Sequence, residues 1–384
     1  MPINLLITGS DGFIGKNLSY FISNNSQEIK IKCFTKKNNI IDLKELIFWS
    51  DVVVHLAGQN RSDNKINFSE NNINLSKKLC EYVIEKFNLT NNLTKIIFSS
   101  TIQVDGKSEY SISKKRAEEY FSNLKEIYKM PIYIIRIMNV FGKWCKPNYN
   151  SVVATFCHKI INNEKYSVVD GNKKLNLIYI DDLVKILFEI ILDVKNIKFS
   201  VNEDVNLFPT YKIEVQKIAN LLIKFHNNRL SRKVDNVGKG FPRALYSTYI
   251  SYLKPEKFSY KLAVNEDNRG IFVEMLKNEE SGQISFFTAK PGITRGGHFH
   301  HTKTEKFLVV RGKALFRFRN ILNGFTFSIE TSSSSPEIVD TIPGWSHDIT
   351  NIGEETMIVL LWANELFDKN NPDTFPDKNL DSLE

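Results

Sequence analysis

Apolar positions along this chain fall into short blocks at first and into strict alternation towards the end. Ile3 to Thr8, Ile29 to Phe34, Asp51 to Leu56, Lys95 to Ser99 and Ile132 to Ile137 are apolar runs of strand length. Between them lie stretches with helical spacing, Lys16 to Ile22 and Asn72 to Phe87, and another follows at Tyr211 to Asn227. Buried strands that alternate with amphipathic helices predict a parallel, doubly wound α/β sheet. A tyrosine-rich segment, Leu245 to Tyr252, comes next. Beyond Pro255 the texture changes to short alternating strands with glycine turns, the pattern of an all-β sandwich or barrel. The expected organisation is therefore a Rossmann-type α/β domain over residues 1–253 and an all-β domain over residues 254–384.

Length and composition agree with two soluble domains. A chain of 384 residues can bury two cores of ordinary size. No apolar run approaches the roughly 20 residues that span a bilayer, so no membrane span is expected. The opening residues run straight into a strand pattern, without the basic and apolar segments of a signal peptide. Cys33, Cys80, Cys145 and Cys157 show no metal-ligand spacing, and they read as reduced thiols of a cytoplasmic protein. The formal net charge is +8, but the lysines are dispersed among asparagines and acidic residues. That argues for no nucleic-acid partner, while a modest positive field suits a phosphorylated substrate.

The first strand leads into Gly9-Ser10-Asp11-Gly12-Phe13-Ile14-Gly15 and then a helix. A strand, a glycine turn and a helix start are what a dinucleotide pyrophosphate needs. Gly9, Gly12, Phe13, Ile14 and Gly15 are assigned to the cofactor on that basis. Thr35, Lys36 and Lys37 end the second strand, where an NAD site carries a carboxylate; lysines there fit the 2′-phosphate of NADPH. Leu56, Ala57 and Gly58 follow the third strand and leave room for the adenosine half. Tyr110 and Lys114 are four apart at a helix start and project from one face. An ammonium beside a phenol lowers its pKa towards neutrality, giving an acid for a carbonyl oxygen that receives hydride. Thr101, at a strand end, can hydrogen-bond the same oxygen.

In the last third, His298 and His300 share one face of a strand and His301 takes the other. Glu305 follows, and His347 lies in Pro343-Gly344-Trp345-Ser346-His347. Three imidazoles and a carboxylate suit a divalent transition metal, most simply zinc. The plainer alternative is a polar pocket without metal.

Residues Gly9, Gly12, Gly15, His55 to Gly58, Thr101, Tyr110, Lys114, Arg136 to Gly142 and Tyr179 to Asp182 together resemble the extended short-chain dehydrogenases acting on nucleotide sugars. That resemblance implies that Asn139 and the loop after it touch the sugar or its pyrophosphate. Dehydratases of that family follow the threonine with Asp-Glu, whereas Ile102-Gln103 stands here, so dehydration is not expected. Leu175 replaces an arginine that many members carry shortly before Tyr179. The histidine set, with Gly292 and Gly312, is similar to both cupin motifs, although one residue is missing between Pro343 and Gly344, so a tighter turn is expected. Asp267 to Glu274 is similar to the opening of cupin epimerases that act on 4-keto sugars, which places Arg269 near substrate; a turn before an edge strand is the equal alternative.

Over its whole length the chain resembles the bifunctional reductase–cupin enzymes of capsular polysaccharide synthesis. The resemblance implies a UDP-2-acetamido-2,6-dideoxy-4-hexulose as substrate, a UDP-linked 4-keto-deoxy amino sugar. It implies C3 epimerisation by the jelly-roll cupin and NADPH reduction at C4 to UDP-N-acetyl-6-deoxy-L-talosamine. A homodimer or higher homo-oligomer is expected, since a cupin sheet has an apolar face. The competing readings are a reductase whose cupin only oligomerises, a 4-epimerase that keeps its NAD bound, and a non-enzymatic NADPH sensor.

Overall fold

A computed structural model describes residues 2–58, 66–193 and 209–380. The chain divides into two compact units, Met1–Ile223 with Gly238–Leu253 and Lys224–Val237 with Lys254–Glu384.

The first unit opens with β1 (Ile3–Thr8), α1 (Phe13–Asn25), β2 (Ile29–Phe34), α2 (Ile40–Trp49) and β3 (Val52–His55). It continues through α3 (Ile66–Thr90), β4 (Lys95–Thr101), α4 (Glu109–Tyr128) and β5 (Ile132–Ile137). These five strands form one parallel sheet in the order β2-β1-β3-β4-β5. All four residues of β3 are buried, as expected of a strand covered on both faces. Leu6, Val53, Ile96 and Phe98 of the strands pack with Leu79, Val83, Phe121 and Leu124 of α3 and α4 in a core cluster. The order of connection reverses between β1 and β3, and in open α/β sheets the ligand crevice lies at the carboxyl ends of the strands at that point.

A small second sheet is built from β6 (Asn139–Phe141), β7 (Lys174–Tyr179) and β8 (Thr210–Glu214), interleaved with α5 (Val152–Ile161) and α6 (Ile180–Leu192). The expected helix from Tyr211 starts later than the spacing predicts. Tyr211 and Ile213 alternate with polar neighbours and pair antiparallel with β7, and α7 (Val215–Ser231) begins only after Glu214. The tyrosine-rich segment is helical, as α8 (Gly240–Ile250), with Phe241, Leu245 and Tyr249 buried. The lead-in to this region, residues 195 to 208, lies outside the described residues.

The second unit is antiparallel β. Its strands are β9 (Asn265–Asp267), β10 (Gly270–Asn278), β11 (Gly282–Ala289), β12 (Thr294–Phe299), β13 (Glu305–Arg311) and β14 (Lys313–Asn320). They continue as β15 (Thr326–Ser332), β16 (Ile338–Asp340), β17 (Trp345–Asn351), β18 (Met357–Ala363) and β19 (Phe375–Pro376). One sheet runs β16-β13-β18-β11-β10-β9 and the other β15-β14-β17-β12-β19, the arrangement of a jelly roll. Alternation drives the packing: Ala314, Phe316 and Phe318 of β14 turn inwards and meet Phe287, Phe307 and Val359 of the opposite sheet. Lys224–Val237 belongs to this unit. Arg232 pairs with Glu274 at 3.0 Å and Lys233 with Glu279 at 2.7 Å. The backbone N–H of Val234 donates to Lys277 and that of Lys277 to Arg232.

The four cysteines are all free thiols. Among the described residues, no helix is long and apolar enough to cross a membrane.

Candidate functional site

In the first unit, a cleft of about 940 Å³ opens along the carboxyl ends of β1, β2, β3 and β4. Gly9, Gly12, Phe13, Ile14 and Gly15 line it, as do Leu56, Ala57 and Gly58. Two glycines are required by the geometry. Gly9 has φ +70, and a Cβ on it would stand 2.8 Å from the backbone of Ala57. Gly15 brings α1 so close to β1 that its Cβ would collide with the Gly9 carbonyl and lie 2.6 Å from Ser10 Cα. Burial and, second, the nearby Lys114 charge hold the His55 ring neutral, with its pKa down at about 3. That ring bridges Thr8 Oγ1 at 2.7 Å and Ser76 Oγ at 3.1 Å, and Thr8 Oγ1 also accepts the Ala57 N–H. The ends of β1 and β3 and the face of α3 are thereby fixed to one another, a role the sequence did not reveal for His55.

At the end of β2 the cleft presents Thr35, Lys36 and Asn38, with no carboxylate among them; Lys37 is not one of its lining residues. Asn38 Oδ1 accepts from both the backbone and the hydroxyl of Thr35, which stiffens this turn.

Thr101, Tyr110, Lys114 and Asn139 line the same cleft. Ser108 caps α4 by accepting the Ser111 N–H at 3.1 Å, so the helix starts at Glu109 and its first turns place Tyr110, Lys114 and Glu118 on successive turns of one face. Lys114 donates to the Ser99 carbonyl at 2.6 Å and lies 4.8 Å from the centre of the Phe98 ring. Burial lowers its pKa to about 8, against a smaller upward pull from Glu118. Glu118 was not singled out from the sequence. Its carboxylate takes a bidentate pair from Arg136, at 3.0 and 2.8 Å, and a hydrogen bond from Ser100 beside Thr101.

Burial pushes the Tyr110 phenol up, opposite to the lowering expected from the lysine alone. With the shift in that direction the phenol stays protonated at neutral pH, the form a proton donor needs. Thr101 Oγ1 accepts the Gln103 N–H at 3.2 Å, which leaves its own hydrogen to donate into the cleft. Leu175 also lines the cleft, whereas Lys173 and Lys174 do not.

The second unit gathers His298, His300, Glu305 and His347, whose ligand atoms all lie within 4.8 Å of one another. The strands explain the assembly. His298 is the penultimate residue of β12, opposite His347 of β17, His300 follows directly after β12, and Glu305 opens β13 on the other sheet. Pro343 and Gly344 form the centre of a four-residue turn, closed by the Trp345 N–H on Ile342 and tied to His300 through the Gly344 N–H.

Burial first, then the neighbouring His347 and His300, lowers the His298 pKa to about 4, so its ring offers a lone pair at neutral pH. Burial alone would raise Glu305, but contacts with His300 and His347 outweigh it and keep the carboxylate ionised. The buried His347 ring has no hydrogen-bond partner on either nitrogen, and its Nε2 lies 3.4 Å from Glu305 Oε2. An orphaned imidazole nitrogen facing a carboxylate and two further imidazoles fits a divalent metal. His301 stands outside the cluster, its ring 4.8 Å from that of Phe375. Arg269 lies in the turn between β9 and β10, with its guanidinium on Asp267 at 2.6 Å.

The chain belongs to the NAD dependent epimerase/dehydratase family, whose model matches residues 5–207, and a polysaccharide biosynthesis C-terminal domain matches residues 265–375. Among individual proteins, it is 45% identical over 373 residues to a UDP-2-acetamido-2,6-beta-L-arabino-hexul-4-ose reductase of Pseudomonas aeruginosa, covering 97% of this chain and 98% of that one. The crystal structure of the capsular polysaccharide assembling protein CapF from Staphylococcus aureus matches with TM-score 0.89 and 39% identity, over 98% of this chain and 100% of that one. A dTDP-D-glucose 4,6-dehydratase of Dictyostelium discoideum is 28% identical over 250 residues, 49% of this chain and 55% of that protein.

Proposed function

We propose that this chain is a bifunctional enzyme of surface polysaccharide synthesis that epimerises and then reduces a UDP-2-acetamido-2,6-dideoxy-4-hexulose. The observation that carries the reading is the presence of both sites on one chain: a Tyr110–Lys114–Thr101 set in a dinucleotide cleft, and a buried three-histidine, one-carboxylate cluster. The full-length likeness to a reductase named for such a ketosugar supports it.

A 4-ketone acidifies the hydrogen on C3, because loss of that proton gives an enolate, and return of a proton to the opposite face inverts the centre. His298, His300, Glu305 and His347 would hold zinc or another divalent transition metal, which supplies Lewis-acid stabilisation of negative charge on an oxygen. Reduction then removes the ketone and with it the acidity of C3, so the new configuration persists.

NADPH supplies the hydride. Gly9 to Gly15 bind its pyrophosphate, and Lys36 stands where the 2′-phosphate would be met. Tyr110 donates its proton to the C4 oxygen as that oxygen gains charge. Thr101 donates a hydrogen bond to the same oxygen, and the Lys114 ammonium stabilises the phenolate that Tyr110 becomes. Asn139 and the loop after it hold the sugar nucleotide. The product of this sequence is UDP-N-acetyl-6-deoxy-L-talosamine.

The test is to incubate the protein with the UDP-4-keto sugar and NADPH and to determine the product's stereochemistry by NMR. A parallel sample without cofactor in deuterium oxide is expected to exchange the C3 hydrogen. Reduction without any exchange would leave the second unit without a catalytic part.

A further inference from the structure

The second unit carries a contact that the metal reading does not by itself require. Asp373 lies in the segment after β18, seventy-three residues beyond His300. Its backbone carbonyl accepts from His300 Nδ1, so the other ring nitrogen, Nε2, is the one that faces Glu305 Oε2, 3.2 Å away. Its carboxylate does something separate. It accepts the backbone N–H groups of His301, Thr302 and Lys303 at 2.9, 2.7 and 2.8 Å, and the Thr302 hydroxyl at 3.0 Å. Those three residues are the first three of the four that link His300 to Glu305.

We propose that Asp373 is the positioning residue of this cluster: its carbonyl sets the tautomer and rotation of the His300 ring, and its carboxylate holds the loop that spaces His300 from Glu305. Two chemically different contacts from one residue thus converge on the same pair of ligands. The segment is itself anchored on the strand that carries His298. Pro376 pairs with His298 and Phe375 with Phe299 in the sheet, the Phe375 and Phe299 rings stack with centres 5.4 Å apart, and Thr374 accepts from Lys303 Nζ at 2.9 Å. A ligating imidazole whose far nitrogen is fixed by a carbonyl keeps one tautomer and one direction, which strengthens binding at the near nitrogen. Three bonded N–H groups also leave little freedom in the four-residue span between His300 and Glu305.

The inference rests on the metal reading above, and the experiment separates the two. Zinc affinity of the full-length protein is measured by competition with a chromogenic chelator, and the cobalt-loaded protein is examined by visible absorption. Failure of the wild type to bind either ion refutes the metal reading itself. If it binds, Asp373→Ala is expected to hold zinc about 10- to 100-fold more weakly and to show displaced cobalt bands. Both variants keep the backbone carbonyl and so test the carboxylate's hold on the loop; Asp373→Asn, which keeps one side-chain acceptor oxygen, is expected to fall between and serves if the alanine variant does not fold. A lower melting temperature with unchanged affinity and an unchanged cobalt spectrum would overturn the proposal.

Discussion

Replacing Lys114 by methionine should make the stability of the first unit less dependent on pH, by an amount the structure fixes. The Lys114 ammonium is buried, and its pKa falls from an ordinary 10.5 to about 8. A lysine with a lowered folded pKa destabilises the fold wherever it is charged. The cost is fully present below the folded value and disappears as pH rises from there to the unfolded value. Across that window the unfolded chain binds one more proton than the folded one, so stability rises with pH. The gap between the two values corresponds to about 3 kcal/mol. Lys114→Met removes this dependence, whatever else it costs through the Ser99 carbonyl left without its donor. Urea unfolding of the cofactor-free wild type and variant at pH 7, 8, 9 and 10 provides the measurement. The wild type should gain on the variant by roughly 2–3 kcal/mol over that range. A difference that stays constant with pH would show that Lys114 is not held out of water with a depressed pKa, and the account of its role beside Tyr110 would fail.

Tyr110→Phe should reduce ketone reduction by about 10²–10⁴-fold while leaving NADPH binding, followed by fluorescence titration, near the wild-type level; full activity would mean that another group protonates the oxygen. His347→Ala should remove metal, read by mass spectrometry of the purified protein, and abolish C3 deuterium exchange without cofactor. Gly15→Ala forces a Cβ against Ser10 and the Gly9 carbonyl and should cost about 1–3 kcal/mol in thermal unfolding, with weaker cofactor binding. An unperturbed melting temperature there would show that α1 is not pressed against the glycine turn.

Much of this architecture was legible in the residues, and the failures have physical causes. β1, β2 and β5 run from the first to the last residue of their apolar blocks because turn chemistry bounds each block. The all-β part announced itself through alternation. Tyr211 to Glu214 misled, since a short edge strand that leads directly into a helix shares the helix's apolar spacing over so few residues. His298, His300, Glu305 and His347 were visible as a set through motif spacing. Asp373 was not visible, because one of its contacts is a backbone carbonyl, which any residue type supplies, and its carboxylate meets a loop some seventy residues away in sequence. The Glu118–Arg136 pair escaped because helix and strand meet only in three dimensions. Nor could spacing report the direction of the Tyr110 shift, which burial decides.

The exchange of segments between the two units bears on how such a chain can be dissected or inherited. A cut after Leu253 frees the β part from Arg232, Lys233 and Val234, and with them two ion pairs and a stretch of ladder to Lys277. A cut before Lys224 carries α8 along, with Phe241, Leu245 and Tyr249 stripped of their packing. Neither scissor point yields a clean piece. Recombination that tried to shuffle one half into another gene would be penalised at either join, which favours transmission of the two units as a single heritable block.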